Sequence, residues 1–139
     1  MDIAPVSVSH PLTLELIDAH GRSTPLEAEL CYDSFDPYAV AACFDTGEAC
    51  VRWVFARELL ACGLYEPTGD GDVHVWPCLD ASGRAVTIIE LSSPDGEALM
   101  QARSDDVTNF LRRTESLVPS GTEGELVDVD DTIARLLAS

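Results

Sequence analysis

The sequence contains no lysine, and its eight basic residues are all arginines. A P-loop for nucleotide phosphates follows the pattern G-x-x-x-x-G-K-[ST], so the absence of lysine excludes this route to nucleotide binding. Long apolar runs are also missing. The longest, from Tyr38 to Phe44, is far shorter than the roughly 18 residues that a membrane-spanning helix requires. We therefore expect no transmembrane segment.

The patterns of common catalytic and metal sites are absent as well. The five cysteines include no C-x-x-C pair, so their spacing does not suit a zinc site. No G-x-S-x-G nucleophile elbow occurs, and Gly69-x-Gly71 lacks the third glycine of a dinucleotide fingerprint. We therefore expect no catalytic residue, no cofactor and no metal. An unrecognised small hydrolase stays an alternative, because 25 acidic residues always offer carboxylate pairs.

Positive charge is scarce throughout the chain. Eight basic residues face 25 acidic ones, for a formal net charge of −17. Nucleic-acid affinity depends mostly on arginine and lysine neutralising phosphates, so this balance disfavours nucleic acid as a partner. The N-terminus carries Asp2 where a secretory signal peptide has basic residues, and this favours a cytoplasmic location.

The chain itself has the size and composition of one folded unit. Its 139 residues and 46% apolar content predict a single domain over residues 1–139. Alternating apolar and polar residues, separated by glycine-containing turns, predict about seven strands with short connections. Such connections favour a mainly antiparallel sheet. The predicted strands cover residues 12–16, 26–32, 38–44, 50–55, 73–79, 86–91 and 97–102.

Three helical segments complete the predicted α+β fold. A short mid-chain helix over residues 57–62 is expected to stop at Gly63 in a left-handed conformation. A longer helix is expected to begin at Ser104 as its N-cap and to end before Pro119. The apolar stripe of the C-terminal tail predicts a final helix; it comprises Val129, Ile133, Leu136 and Leu137.

Two predicted strands carry apolar or small residues on both faces. Residues 86–91 place Val86 and Ile88 on one face and Ile89 and Leu91 on the other, and residues 38–44 behave similarly. The helices suffice to cover only one face of a seven-stranded sheet. The second face is therefore either folded on itself by a strong bend or buried against another subunit.

Arg57, Tyr65 and Trp76 are the candidate partner-binding residues. They lie on or beside the helix and loops between two predicted strands, where we expect an exposed edge. Aromatic and arginine side chains dominate the hot spots of protein interfaces. The alternatives are that Trp76 fills the core and that an arginine of this region forms a structural salt bridge.

Several motifs occur in a characteristic order. The first half contains Asp36-Pro37-Tyr38-Ala39-Val40, Phe44-x-Thr46-Gly47 and Trp53-Val54-Phe55-Ala56-Arg57-Glu58-Leu59-Leu60. The second half contains Gly71-Asp72-Val73-x-Val75-Trp76-Pro77, Leu91-Ser92-Ser93-Pro94-x-Gly96-Glu97 and Val118-Pro119-x-Gly121-Thr122-Glu123. Over about residues 30–123, this arrangement resembles the SsgA-like family of sporulation and cell-division proteins.

The resemblance implies a small cytoplasmic, non-enzymatic protein of spore-forming actinobacteria. Members help to place the sporulation septum by recruiting the tubulin-like division GTPase FtsZ, so FtsZ and other SsgA-like paralogues are the implied partners and the division septum the implied location. The implied fold is a bent antiparallel sheet with helices, assembled as a homotrimer. The two tryptophan-containing motifs look most like the septum-initiating type of the family.

The implied fold also resembles the "whirly" single-stranded nucleic-acid-binding proteins. A single-stranded nucleic-acid-binding module is therefore the alternative to a division adaptor. The net charge of −17 weighs against it, because the field of the protein repels phosphates.

Overall fold

The computed structural model of the chain describes residues 7–124. Within this range, eight strands and two helices follow one another in chain order. They are β1 (Ser7–Ile17), β2 (Ser23–Asp33), β3 (Ala39–Asp45), β4 (Cys50–Ala56), α1 (Arg57–Gly63), β5 (Thr68–Asp70), β6 (Val73–Leu79), β7 (Ala85–Ser93), β8 (Gly96–Arg103) and α2 (Ser104–Leu117). The predicted tail helix lies outside the described residues.

All eight strands belong to one curled sheet with the order β4-β3-β2-β1-β8-β7-β6-β5. Every neighbouring pair is antiparallel, as the short connections predicted. β1 pairs with β2 from Ser7 to Ile17, but it pairs with β8 only from Glu15 to Ile17. The sheet therefore consists of two four-stranded halves that are joined by a short ladder.

The seven predicted strands are all present, and β5 is the eighth. It has three residues and pairs with the beginning of β6 through Thr68, Gly69 and Asp70. A segment this short with a central glycine has no hydrophobic alternation that could predict a strand. Its strand geometry comes from pairing with β6.

Two of the hairpins use the same turn sequence, Asp-Ala-x-Gly-Arg. The carboxylate of Asp18 accepts hydrogen bonds from the backbone N–H groups of His20 and Arg22, each at 2.8 Å. In the β6–β7 turn, the carboxylate of Asp80 accepts hydrogen bonds from the N–H groups of Ser82 and Arg84. The glycines of these turns, Gly21 and Gly83, adopt φ values of 79° and 81°. Only glycine reaches this conformation at little cost, so the turns fix where β2 and β7 begin.

The two helices differ from the sequence prediction at their ends. Gly63 belongs to α1 and is not among the glycines with positive φ, so its predicted left-handed conformation is wrong. A Cβ atom at this position would lie 2.2 Å from Cγ1 of Val75, so glycine allows α1 to approach β6. Arg103 is the N-cap of α2, and the hydroxyl of Ser104 instead lies 3.0 Å from that of Thr87.

The core lies between the curled sheet and α2. α2 packs against β1, β7 and β8 and buries Val107 and Phe110 completely. β7 is buried on both faces, as its apolar pattern predicted, with Ile89 and Leu91 on the core side and Val86 and Ile88 on the other. This arrangement leaves the edge strands β4 and β5 at the two ends of the sheet.

Candidate partner-binding site

Arg57 stands at the start of α1 and is buried, with only 3% of its surface exposed. Its guanidinium donates hydrogen bonds to the carbonyl of Val118 at 2.8 Å and to the carboxylate of Glu123 at 2.5 Å. It also lies 5.0 Å from the centre of the Tyr32 ring, within cation–π range. Arg57 thereby joins α1 to the segment that follows α2 and to β2.

The electrostatics of this cluster follow from its contacts. Hydrogen bonding to Arg57 lowers the pKa of the Glu123 carboxyl from its ordinary value, which favours the ionised form. Burial raises the pKa of the Tyr32 hydroxyl, which donates a hydrogen bond to the carbonyl of Pro37 at 2.9 Å. The guanidinium also stands near the C-terminal end of α2, where positive charge is favourable.

The expected surface position of Arg57 is therefore wrong. Its side chain is occupied by Thr114, Val118 and Glu123 and has no free face for a partner. The alternative, that an arginine of this region forms a structural salt bridge, is confirmed by the Arg57–Glu123 ion pair. Glu123 lies 66 positions away in the sequence, so no local pattern could identify this pair.

Tyr65 is exposed, with 83% of its surface accessible. It lies in the turn after α1, where its N–H donates to the carbonyl of Cys62 at 3.0 Å. That hydrogen bond holds the backbone of the turn, while the phenol ring stays in solvent. Two residues later, Pro67 leads into β5.

Trp76 is half-buried on the face of β6 opposite the core. Its neighbour Val75 belongs to the core cluster, and successive side chains of a strand point to opposite faces. Trp76 lies opposite Ile88 of β7 and borders a shallow depression of about 520 Å³ together with Pro67, Thr68 and other residues of β5 to β7. The alternative that Trp76 fills the core is therefore wrong.

The structure thus separates the three candidate residues. Tyr65 lies in the α1–β5 connection, and Trp76 borders a depression together with Pro67 of the same connection. We call these two residues and the connection the Tyr65–Trp76 surface. Arg57 belongs to a buried cluster at the other end of α1. Whether the Tyr65–Trp76 surface binds a partner stays a prediction.

A larger groove, which the sequence did not predict, opens at one end of the curled sheet. Its volume is about 790 Å³, and it is lined by the ends of β1, β3 and β7 and the beginnings of β2, β4 and β8. Trp53 and Phe44 lie on one side, and Leu91 and Met100 lie on the other. The curl brings β4 opposite the β7–β8 hairpin, so the groove depends on long-range geometry that a hydrophobic pattern does not encode.

Two observations concern metal binding and cysteine reactivity. Within residues 7–124, no three histidine, cysteine, aspartate or glutamate side chains form a group that could hold a metal ion. Burial raises the pKa of the Cys31 thiol to about 12, and the thiol donates to the Glu29 carboxylate at 3.1 Å. Because the thiolate is the nucleophile, the raised pKa disfavours a nucleophilic role for this cysteine at neutral pH. No helix in the same range is long and apolar enough to cross a bilayer.

Comparison with known proteins agrees with the motifs. The chain is 50% identical over 133 residues to the sporulation-specific cell division protein SsgB of Streptomyces coelicolor, covering 95% of this chain and 96% of that protein. This relative is of the SsgB type, the type of the family that the two tryptophan-containing motifs indicated.

Solved structures show the same fold. A structure from work on SsgB mutations and longitudinal cell division during sporulation of Streptomyces coelicolor is 49% identical, covers 91% of this chain and 99% of that one, and has a TM-score of 0.85. An SsgA-like sporulation-specific cell division protein from Thermobifida fusca is 40% identical, covers 97% of this chain and 98% of that one, and has a TM-score of 0.87.

The family model described as Streptomyces sporulation and cell division protein, SsgA, matches residues 26–123. This range nearly coincides with the part of the chain in which the motifs were found. The family is one of sporulation and cell-division proteins and is not a known enzyme family. The order of the motifs, the curled eight-stranded sheet and the extent of these matches show together that the chain belongs to the SsgA family.

Proposed function

We propose that this chain acts as a non-catalytic adaptor in sporulation-specific cell division and helps to place the septum by recruiting FtsZ. Membership of the SsgA family and 50% identity to SsgB of Streptomyces coelicolor support a role in sporulation cell division. The protein acts in the cytoplasm, at division septa, and together with other SsgA-like paralogues. An adaptor of this kind needs a docking surface and no reacting group.

The observation that carries the proposal is the exposure of Tyr65 in the α1–β5 connection, whose Pro67 borders the same depression as Trp76. Tyrosine and tryptophan supply large contact areas at low entropic cost, and they are enriched among interface hot spots. Tyr65 is 83% exposed and Trp76 is half-buried, so a partner that covers them removes apolar surface from water. We therefore propose the Tyr65–Trp76 surface as the site where the partner docks.

Co-sedimentation with FtsZ polymers tests both parts of the proposal. FtsZ is polymerised with GTP and pelleted, and the bound fraction of the wild-type chain is measured. Tyr65→Ala should weaken binding by about 2 kcal/mol, roughly 30-fold in affinity, if Tyr65 is a hot spot. Phe35→Ala is the matched control, because Phe35 is another exposed aromatic residue, at 59% exposure.

The outcomes test separately whether FtsZ is the partner and whether the Tyr65–Trp76 surface is the binding site. Failure of the wild-type chain to pellet with FtsZ polymers would contradict FtsZ recruitment. Normal pelleting of Tyr65→Ala, with an unchanged melting temperature, would contradict the Tyr65–Trp76 surface and leave the partner in place. Because Tyr65 projects into solvent, its truncation should change stability by no more than about 0.5 kcal/mol.

We further propose that the chain is a homotrimer. The edge strand β4 supports self-association, since it exposes Val54 at 54% and Val51 at 39% beside unpaired backbone groups. Sedimentation equilibrium at micromolar concentration should give three times the chain mass of 15.0 kDa. A mass of 15.0 kDa under these conditions would contradict the proposal.

A further inference from the structure

Trp76 and Glu90 lie on the same face of the sheet, opposite the core. β6 and β7 are paired so that His74 lies directly opposite Glu90 and Trp76 lies opposite Ile88. Because side chains two residues apart on a strand point to the same face, the indole of Trp76 and the carboxylate of Glu90 are diagonal neighbours. Such neighbours are about 7–8 Å apart, a distance that long side chains span. Both residues line the depression of about 520 Å³.

The carboxylate of Glu90 is open to a further hydrogen-bond donor. One of its oxygens lies 3.7 Å from Nδ1 of His74, which is longer than a hydrogen bond. The His74 ring lies against β5, since a Cβ atom on Gly69 would stand 2.3 Å from Cδ2 of the ring. An ionised carboxylate can accept about four hydrogen bonds, and the Glu90 side chain is 31% exposed. A donor from a partner can therefore reach it.

The surroundings of this pair carry negative charge. Between Arg57 and Arg84, the sequence has no basic residue other than His74, and this stretch includes the whole Tyr65–Trp76 surface. The exposed acids that precede the depression along the chain are Glu66, Asp70 and Asp72. Their field, added to that of the net charge of −17, repels phosphates and carboxylates and attracts cations.

An indole face beside an open carboxylate selects one kind of side chain. A guanidinium stacks on the face of tryptophan within about 6 Å of the ring centroid. Its planar fork of N–H donors also matches the two oxygens of a carboxylate. Lysine instead presents a compact, strongly hydrated ammonium, which cannot make both contacts in this way. Arginine is also enriched in protein interfaces, whereas lysine is depleted there.

We propose that Trp76 and Glu90 together bind an arginine side chain of the partner protein. The guanidinium stacks on the indole of Trp76 and donates hydrogen bonds to the carboxylate of Glu90. This inference rests on the proposed function, because it names the chemistry that the Tyr65–Trp76 surface recognises in its partner. It adds to that surface Glu90, a residue of β7 that the sequence analysis did not select.

The two tryptophans allow the contact to be located by NMR. The chain has two indole N–H groups, and Trp76→Phe identifies which signal belongs to Trp76. Trp53 packs against the core and serves as the internal reference. The probes are three capped pentapeptides with glycine at every position except the central one. The central residue is arginine, lysine or citrulline, which is a neutral isostere of arginine.

The arginine peptide should shift the Trp76 indole signal saturably, with a dissociation constant in the millimolar range because only one side chain is tested. The Trp53 signal should not move. The citrulline peptide lacks the charge and should bind at least about tenfold more weakly, a difference of about 1.4 kcal/mol. The lysine peptide should bind at least about threefold more weakly, because its ammonium cannot stack and form a bidentate contact together.

Two variants with the same net charge separate a local contact from the field of the whole chain. Glu90→Gln removes the carboxylate charge and keeps the size of the side chain. Asp72→Asn removes one exposed charge from the β5–β6 turn, which does not line the depression. Glu90→Gln should weaken binding of the arginine peptide about tenfold, and Asp72→Asn less than about twofold. An unchanged Trp53 signal shows that each variant keeps the fold.

Four results would overturn the proposal. Equal binding of the citrulline peptide would remove the role of charge, and equal binding of the lysine peptide would remove the role of stacking. Equal weakening by Glu90→Gln and Asp72→Asn would reduce the binding to overall charge. A Trp76 signal that does not move with the arginine peptide would place no arginine there.

These readouts are independent of the co-sedimentation assay, because the peptides contain no FtsZ sequence. Failure of the wild-type chain to pellet with FtsZ polymers would contradict that partner and leave the arginine site in place. Failure of the arginine peptide to bind, with Tyr65→Ala still impaired in pelleting, would contradict the arginine site and leave the docking surface in place.

Discussion

Gly63 of α1 and Val75 of β6 lie so close together that there is no room for a side chain on the helix. A Cβ atom on Gly63 would stand 2.2 Å from Cγ1 and 2.5 Å from Cβ of Val75, distances that real Cβ atoms do not show. Both residues are buried, so neither can move into solvent. The contact sets the distance between the mid-chain helix and the second half of the sheet.

Replacement of Gly63 by alanine should therefore destabilise the protein by about 1–3 kcal/mol, although alanine has the higher helix propensity. Urea unfolding measures the change in free energy. The matched test is a double-mutant cycle with Val75→Ala, in which the double variant should be more stable than the sum of the two single effects. Simple additivity would show that the contact with Cγ1 of Val75, the atom that Val75→Ala removes, does not limit the packing.

Truncation of Arg57 should be one of the most damaging changes in the chain. Arg57→Ala leaves the partly buried Glu123 carboxylate and the buried Val118 carbonyl without their donor, and loss of one partner from a fully buried pair costs about 3–5 kcal/mol, which is the upper bound here. Arg52→Ala is the matched control, because Arg52 is exposed on β4 and should change stability by less than about 0.5 kcal/mol. Similar urea midpoints for both variants would contradict the structural role of Arg57.

The Arg57–Glu123 pair should also make stability depend on pH in the acidic range. The pKa of Glu123 is lowered in the folded protein by its hydrogen bond to Arg57, so the pair contributes fully above the ordinary value of 4.5. As pH falls through the folded pKa, the unfolded chain binds the proton first and this contribution is lost. Glu123→Gln should therefore be less stable than wild type at pH 7, and the difference should shrink below pH 4.5. A difference that is constant from pH 7 to pH 3 would assign the effect to packing.

Single-stranded DNA should not bind measurably at about 150 mM salt. Neutralisation of phosphates drives sequence-independent binding, and the chain has eight arginines against 25 acidic residues. At this salt concentration, screening over roughly 8 Å still leaves local repulsion. The measurement is fluorescence anisotropy with a labelled oligonucleotide. A micromolar, salt-sensitive transition would favour the alternative of a nucleic-acid-binding module.

The sequence predicted most of the sheet because local patterns specify it. In β1 and β2, alternation places Leu12, Leu14 and Leu30 on the buried face, and the turn between these strands has its own Asp and Gly signals. β5 was not predicted, because its three residues are too few to show an alternation of apolar and polar side chains. Gly63 was misread because a glycine at a helix end has two explanations, a left-handed cap or a close contact, and only the tertiary structure separates them.

The candidate site was harder to predict, for a physical reason. Tyr65 and Trp76 were located by residue type, and the structure gives them exposed and half-buried positions that suit a surface. Arg57 has the same preference for interfaces, but its side chain is paired with Glu123. That residue is 66 positions away in the sequence, so a local pattern could not reveal the pair. The groove joins six strand ends from both halves of the sheet, so its composition becomes visible only after the sheet has curled.

The short β1–β8 ladder bears on how wide the groove is. Three paired positions, Glu15 to Ile17, connect the half that carries Trp53 with the half that carries Met100. The backbone pairing between the groove's opposing walls is therefore limited to this ladder, and a rotation about it would change the aperture of the groove while each half kept its own hydrogen bonds. Any occupant that fits a narrower aperture better also favours a more tightly curled sheet, so filling the groove and bending the molecule are one equilibrium.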